Sequence, residues 1–505
     1  MARYIFSMLQ GESIQSVTLP FLIYQTAKMD LKRWRHVILI WVCLEVICFG
    51  GIQYGWGALV YILKDEGIHE DLCIEEPRGG KNATNSTAAV AVHCPDQDAR
   101  FNLYYSAVIS AFVVFVTLGG NLFSKFGTRV VRLIFICLFW VGCLMIAVTT
   151  TGTPWLICPG LLFVAGGGFV FILTSSQVAN LYTKRSSTVL GILNGLMDAS
   201  SVIQQAVKLA YGVGIQRQMA YFFILGISGM SVISTFLFFP KAFIKRKFET
   251  RKMKSLEEPA QQSREEINHE YRNIRSYLCD PLYISHVVWF TILYFRFNYF
   301  IGTVNSYINI VTDYRTEKVS YFTNILSYTM FCGVISSLCA GLMYDRGKER
   351  YSGCISEIKR KLMPALIPML MCTTLQTILS GLVFVPNENV LYVSFIVFTI
   401  FRSYLFSVGL TFIAEMFPTQ VFGTLYSVLV TCGGVGSLVQ FGLYSWSQSY
   451  GSAFNHVNIL MLIMSTLAFI HPTILLLKCR ESNKQVCDAG KTNQPDIKEE
   501  VITVL

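Results

Sequence analysis

Four ionisable side chains interrupt long apolar stretches of this sequence: Glu45, Asp198, Arg296 and Arg402. A charged group at the centre of a bilayer-spanning helix costs roughly 2.5–3.5 kcal/mol, so it needs a partner or a water-filled cavity. The two acids and two bases balance in charge and come from both halves of the chain. The pattern predicts that they face a shared central cavity, where they bind a polar solute or gate its passage. The alternative is a set of permanent acid–base pairs that hold helices together.

Uncharged amides accompany these charges in the same apolar stretches: Gln177, Asn194, Gln204 and Asn298. An amide offers paired donors and acceptors, which suits the edge of a planar heterocycle. Each amide could instead form an ordinary hydrogen bond between helices. The polar set therefore predicts either a site for a small polar molecule or interhelical contacts.

The composition requires a membrane setting for these residues. The chain has 505 residues, of which 53 % are hydrophobic and 14 % charged, with a mean hydropathy of +0.49. An average soluble domain has roughly 25 % charged residues. A soluble enzyme, a disordered chain and a secreted disulfide scaffold are excluded. The net charge of +10 lies in short stretches between apolar runs, as orientation signals do, so nucleic acid is not expected as a partner.

Twelve apolar runs are long enough to cross a bilayer, which takes about 20 helical residues each. They lie at about 37–62, 103–123, 131–150, 155–178, 188–212, 220–239, 283–306, 319–341, 362–385, 389–414, 421–446 and 454–477, and are called spans one to twelve. The sequence thus predicts an all-α integral membrane protein with two six-helix bundles, 37–240 and 282–478. A central loop (241–281), an N-terminal segment (1–36) and a tail (479–505) complete the chain, and residues 1–28 have the character of an alternative start. Six spans on each side of a polar loop favour a transporter over a channel or a receptor.

The distribution of lysine and arginine predicts the orientation of the spans. The stretch 241–254 holds seven basic residues and one acidic residue, and Lys125, Arg129 and Arg132 lie between the predicted spans two and three. Because basic loops stay in the cytoplasm, both termini and the central loop are predicted to be cytoplasmic.

The first loop on the opposite side carries signals of the secretory pathway. Asn82 and Asn85 begin two glycosylation sequons, and Cys73 and Cys94 flank them. A disulfide between these cysteines would persist outside the cytoplasm. We expect a glycosylated, disulfide-bonded loop and a multi-pass protein of the plasma membrane.

Motifs for enzyme chemistry, cofactors or metals are not found in this sequence: there is no phosphate-binding loop, no HExxH, no GxSxG and no CxxC. The last three residues, Thr503-Val504-Leu505, have the form of a ligand for a PDZ-type groove, although a solvated tail is the alternative. The expected partners are therefore a small-molecule substrate and the lipid bilayer.

The loops after spans two and eight occupy equivalent places in the two halves. The second reads Gly341-Leu-Met-Tyr-Asp345-Arg346-Gly347 and resembles the G-x-x-x-D-R-x-G loop of the major facilitator superfamily. In this reading Gly341 allows close helix approach, and Asp345 and Arg346 form a cytoplasmic latch. In the first copy, Ser124 and Lys125 stand where Asp and Arg are expected, which puts a charged latch there in doubt.

Longer stretches resemble one family within that superfamily, solute carrier family 43. They are GIQYGWGALVYILKDEG, NLYTKRSSTVLGILNG, FIAEMFPTQVFGTLYSV and AFNHVNILMLIMSTLAFIHP, and the similarity covers about 36–480. The resemblance implies a facilitator either of purine nucleobases or of large neutral amino acids, the two branches of that family.

The choice of branch depends on fewer residues. Asn194-Gly195-x-x-Asp198-x-Ser200-Ser201 resembles the nucleobase branch, as do Gln177 and the short central loop, whereas Arg296 is a departure from it. The resemblance thus implies a sodium-independent, equilibrative transporter of adenine, guanine and hypoxanthine. A neutral amino-acid facilitator and a non-transporting receptor or scaffold remain the alternatives.

Overall fold

The computed structural model describes residues 33–73, 95–241, 243–244, 274–313, 315–354, 356–437, 439–447, 449–450 and 452–492, and these contain helices but no strand. The predicted sequons at Asn82 and Asn85, Cys94, and the two chain ends lie outside them. The glycosylation, the disulfide and a partner at the C-terminus therefore stay predictions.

Each of the twelve predicted spans coincides with one helix or with consecutive helices. In the first half they are span one (Arg35–Glu45, Val46–Gly50, Ile52–Gly55 and Trp56–Asp65), span two (Pro95–Phe126), span three (Thr128–Val148), span four (Pro154–Leu156, Ile157–Ser175 and Ser176–Leu181), span five (Ser186–Ala199 and Val202–Gly212) and span six (Arg217–Ser228 and Met230–Leu237).

The second half repeats this plan after a short helix, Ile274–Leu278. It comprises span seven (Pro281–Val311), span eight (Thr316–Phe331 and Gly333–Tyr351), span nine (Glu357–Leu382), span ten (Glu388–Met416), span eleven (Thr419–Ser437 and Val439–Ser447) and span twelve (Ala453–Leu467 and Ile470–Thr492). Among the described residues, nine helices are long and apolar enough to cross a membrane, or ten if the bent span one is counted. Span five falls short of that test, because its two helices have only 14 and 11 residues.

Span one is bent by 44° where it passes Gly51. The backbone N–H of Gly51 donates to the Ser200 hydroxyl at 3.0 Å, and Ser200 stands at the break of span five. A Cβ on Gly51 would lie 2.1 Å from the carbonyl oxygen of Met197, so only glycine allows this approach. The break in span one therefore contacts the break in span five.

The loop predicted between spans two and three is almost absent. Span two ends at Phe126, Gly127 turns the chain with a φ of 77°, and span three begins at Thr128. The prediction that Arg132 lies in this loop is wrong, because a left-handed glycine reverses the chain in one residue and leaves Arg132 in the first turns of span three.

The two halves contact each other mainly near the end of the bundle that carries the connections 2–3, 4–5, 8–9 and 10–11, called here the basic end. There Ser186–Ala199 of span five packs on Gly333–Tyr351 of span eight, and span two packs on Thr419–Ser437 of span eleven. The opposite portions of spans five and eight, Val202–Gly212 and Thr316–Phe331, pack chiefly within their own halves. The structure is therefore closed at the basic end and parted towards the far end.

Candidate functional site

An ion pair between Asp198 and Arg402 joins the two halves. The Nη2 atom of Arg402 lies 2.6 Å from Oδ1 of Asp198, and the side chains are only 4 % and 8 % exposed, respectively. Asp198 is placed at the end of a helix that stops at Ala199, and Arg402 lies in the middle of span ten. The structure thus brings together two of the four predicted charges.

Aromatic rings from other spans surround this pair. The guanidinium of Arg402 lies over the ring of Tyr54 at 5.5 Å and over that of Phe297 at 5.9 Å. Phe297 in turn stacks on Phe398 with an interplanar angle of 2°. Planar surfaces from spans one, seven and ten therefore flank a hydrogen-bonding acid and base, an arrangement suited to a flat polar molecule.

Glu45 is not part of this cluster. Its carboxylate pairs with Arg132 at 2.7 Å, both side chains are at most 1 % exposed, and the Ser234 hydroxyl donates to it as well. Arg132 also donates to the hydroxyls of Thr174 and Thr235. Glu45 and Arg402 have different partners, Arg132 and Asp198 respectively, and the Glu45 network ties together spans one, three, four and six. Sequence reasoning did not identify Arg132 as the partner of Glu45. The signal that could have done so is the helix start at Thr128, which places Arg132 four residues inside span three.

Arg296 also lies away from the Asp198–Arg402 pair. Its Nε donates to the hydroxyl of Ser380 on span nine at 3.0 Å, and its guanidinium lies 5.7 Å from the centre of the Phe300 ring. Phe297 is the next residue along the helix and is rotated by about 100° around the helix axis, so that it faces Arg402. Arg296 therefore points into the second half and not into the junction between halves.

Two of the predicted amides lie on the spans that form the site. Asn194 is one turn before Asp198 and donates to the backbone of Leu190 at 3.0 Å. Asn298 follows Phe297 and donates to the backbone of Tyr294 at 2.9 Å.

The other two amides have hydrogen-bond partners away from the Asp198–Arg402 pair. The side-chain nitrogen of Gln177 donates to the Thr128 hydroxyl and to a backbone carbonyl, while its oxygen accepts from the backbone N–H of Ile244 at 2.9 Å. Gln204 donates to the Tyr221 hydroxyl at 2.6 Å within the first half. Gln177 thereby fastens the start of the central loop to the basic end.

Asp345 closes the basic end against the start of span five. Its carboxylate accepts hydrogen bonds from the backbone N–H groups of Ser187 (3.2 Å) and Thr188 (2.7 Å) and from the Thr188 hydroxyl (2.6 Å). A carboxylate at a helix N-terminus is stabilised by the unpaired N–H groups and the helix dipole. Lys348 adds an ion pair to Asp345 at 2.6 Å. Asp345 and Lys348, called here the latch residues, therefore join the start of span five to the end of span eight at the basic end.

The other members of the motif have different places. A Cβ on Gly341 would lie 2.5 Å from the carbonyl oxygen of Ser187, so glycine is needed for the close approach of spans five and eight. Arg346 is exposed. Lys348, which sequence reasoning did not select, occupies the cationic position of the latch and also contacts Glu415 of span ten at 3.1 Å.

The first copy of the motif forms an uncharged counterpart. The Ser124 hydroxyl accepts from the backbone N–H of Thr424 at 3.2 Å and from its hydroxyl at 2.9 Å. A Cβ on Gly120 would collide with Ser427. Spans two and eleven are thus joined by neutral hydrogen bonds where the motif would supply charges.

No cluster of three metal-ligating side chains occurs in the portion of the chain that is described. The site consists of a carboxylate–guanidinium ion pair and aromatic rings.

Two six-helix halves joined by a polar junction and a latch define a multi-pass membrane transporter. The profile of the Major Facilitator Superfamily matches residues 96–440, and the chain belongs to this superfamily. Its members are transporters and not enzymes, which confirms both the predicted fold class and the prediction that the chain is not an enzyme.

Particular relatives agree with the family resemblance of the sequence. The chain is 28 % identical over 492 residues to Equilibrative nucleobase transporter 1 of Bos taurus, covering 90 % of this chain and 98 % of that one. It is 22 % identical over 517 residues to Large neutral amino acids transporter small subunit 3 of Homo sapiens, covering 86 % and 91 %. The structure of the proton:xylose symporter XylE superposes with a TM-score of 0.61 at 10 % identity, covering 88 % of this chain and 95 % of that one, a likeness of fold alone.

Proposed function

We propose that this protein is a sodium-independent, equilibrative transporter of purine nucleobases in the plasma membrane. The Asp198–Arg402 pair, lying between aromatic rings at the junction of the two halves, carries the proposal. The similarity to a bovine nucleobase transporter over nearly the whole of both chains supports it.

A purine base has the chemistry that this junction offers. Its ring edge presents N–H donors and ring-nitrogen or carbonyl acceptors in one plane, so the Asp198 carboxylate accepts and the Arg402 guanidinium donates. The faces of the base stack against rings such as Tyr54 and Phe297. Asn194 lies one turn before Asp198, and Asn298 directly follows Phe297. These two amides are therefore placed to form further hydrogen bonds with the base. Gln177, Gln204, Glu45 and Arg296 have partners elsewhere and support the helices.

Transport follows from the position of this pair between the halves. A base entering from the parted far end competes for the carboxylate and the guanidinium and so loosens the link between spans five and ten. The halves then rock, the latch around Asp345 releases, and the basic end opens. Because Asp198 and Arg402 neutralise one another, an uncharged base requires no accompanying ion, which supports facilitated diffusion.

Uptake of labelled adenine and labelled leucine tests the proposal in cells that express this chain, with and without sodium. We expect saturable adenine uptake that is unchanged by sodium, and Asp198→Asn to abolish it at normal surface abundance. The matched control is Glu388→Gln, which removes a carboxylate from a half-exposed ion pair with Lys318 and is expected to leave uptake intact. Normal adenine uptake by Asp198→Asn would overturn the assignment of the site.

A facilitator of large neutral amino acids is the second candidate. The observation that favours it is the same pair, since an acid and a base can receive the ammonium and the carboxylate of a zwitterion. Arg296, the residue that departs from the nucleobase branch, is turned towards Ser380 and does not supply the contact to the carboxylate. Saturable leucine uptake without adenine uptake would establish this candidate in place of the first.

A further inference from the structure

Arg296 differs from the other buried arginines in having no acid beside it. Arg132, Arg217 and Arg402 each pair with a carboxylate, at 2.7, 2.8 and 2.6 Å. Arg296 is 2 % exposed, forms no ion pair with any described residue, and leaves its Nη2 atom without a hydrogen-bond partner. A buried cation is strongly unfavourable unless a counter-charge or hydrogen-bond partners compensate it.

Neutral polar groups of spans nine and twelve continue from Arg296. Its partner Ser380 hydrogen-bonds the Ser465 hydroxyl at 3.0 Å, and the Gln376 amide nitrogen donates to Ser465 at 2.9 Å. Gln376, Ser380 and Ser465 are at most 1 % exposed. Spans seven, nine and twelve therefore enclose one polar cluster inside the second half.

Two amides on spans nine and twelve have further unpartnered atoms. The side-chain oxygen of Gln376 is buried without a partner, and so are both polar atoms of Asn458, which is 1 % exposed. Asn458 lies seven residues before Ser465, hence two turns away on the same face of span twelve. Buried polar atoms are nearly always bonded in proteins, and the unpartnered Nη2 atom of Arg296 is a donor, so the partner that it lacks among the described residues is a hydrogen-bond acceptor.

We propose that the cluster around Arg296 is a binding site for a small monovalent anion of the halide type. A water molecule could satisfy the hydrogen bonds but would leave the positive charge uncompensated. A halide supplies the negative charge and accepts a hydrogen bond from the unpartnered Nη2 group of Arg296. Phe295 of span seven packs with Val457 and Met461 of span twelve, and this apolar packing favours an ion of few atoms over a carboxylate-bearing metabolite.

The anion site is separate from the transport site. Arg296 and Phe297 project from span seven about 100° apart, and only Phe297 faces Arg402. The bound anion stabilises the packing of spans seven, nine and twelve, and its binding does not depend on which solute the protein carries.

Thermal unfolding of the purified full chain tests the proposal directly. The protein is solubilised and purified in gluconate, and chloride or bromide is then added at constant ionic strength. We expect the melting temperature to rise saturably by about 2–4 °C with either halide, because ligands that bind only the folded state stabilise it. Gluconate is too large to enter and gives no rise.

Two variants locate the effect. Arg296→Gln should lose the halide response, and Arg296→Lys should keep a weakened one. The matched control is Arg217→Gln, because Arg217 is equally buried but already has Glu66 as its partner; it should retain the full response. If Arg296→Gln does not fold, the wild-type titration still decides: no saturable halide response overturns the proposal. A halide response that persists in Arg296→Gln also overturns it, because the ion then binds elsewhere.

Discussion

Replacement of Asp345 by asparagine is expected to shift the protein towards the state that is open at the basic end. The carboxylate of Asp345 accepts two backbone hydrogen bonds and one hydroxyl hydrogen bond from the start of span five, and it is 4 % exposed. All three bonds cross between the two halves, so they exist only while the basic end is closed. Their loss therefore acts on the conformational equilibrium.

The size of the shift follows from these contacts. Hydrogen bonds to a charged group contribute about 1.5–3 kcal/mol, and asparagine keeps one acceptor oxygen while losing the charge. The ion pair with Lys348 is partly solvated and adds little. A net loss of about 2 kcal/mol raises the open population about 30-fold, since 1.36 kcal/mol corresponds to a factor of ten.

A cysteine placed at Ser337 reports this population. Ser337 is fully buried where spans five and eight meet, and a Cβ on Gly191 would lie 2.4 Å from its carbonyl oxygen. In a chain whose other cysteines are replaced, the rate of modification by an impermeant thiol reagent added at the basic end is proportional to the open fraction. Asp345→Asn should raise that rate about 30-fold.

Glu349→Gln is the control, because Glu349 is an exposed acid on the same helix. It should leave the modification rate unchanged. If Asp345→Asn alters the rate by less than twofold, Asp345 does not hold the basic end closed, and the mechanism derived from its hydrogen bonds is refuted.

Three further changes have defined outcomes. Glu45→Gln leaves a buried arginine unpaired and should lower the unfolding free energy by about 3–5 kcal/mol in a denaturation assay, whereas Glu388→Gln in its half-exposed pair should change it by less than about 1 kcal/mol. Gly341→Ala places a Cβ 2.5 Å from a backbone oxygen of span five and should open the basic end in the same thiol assay, while Gly353→Ala, with nothing within 4 Å, should not. Gln177→Ala should lower the melting temperature but leave the KM for the transported solute within a factor of two; a large rise in KM would return Gln177 to the binding site.

The sequence predicted the helices more completely than the site. Runs of about 20 apolar residues identify spans without knowledge of their neighbours, and all twelve correspond to helices. The faces of those helices depend on partners, and Arg296 shows why. The sequence places Arg296 at bilayer depth, but the direction of its side chain towards Ser380 follows from the packing of spans seven and nine.

The sequence also does not show which buried charges pair with each other, because pairing depends on how the helices pack. Glu45 and Arg402 are recognisable in the sequence as costly buried charges, whereas Arg132, with Lys125 and Arg129, has the pattern of a basic loop. Once the turn is a single left-handed glycine, Arg132 falls inside the bundle and becomes the partner of Glu45. The Asp198–Arg402 pair requires two spans from different halves to meet, which no local pattern encodes.

The contact of Gly51 with the break of span five joins spans one and five at the point where both are broken. Trp56–Asp65 and Val202–Gly212, the segments beyond the two breaks, pack on each other, and a Cβ on Gly55 would collide with Gln204 between them. We expect the two segments to move together about this contact when the far end closes over a solute, while the buried Glu45–Arg132 pair keeps its geometry.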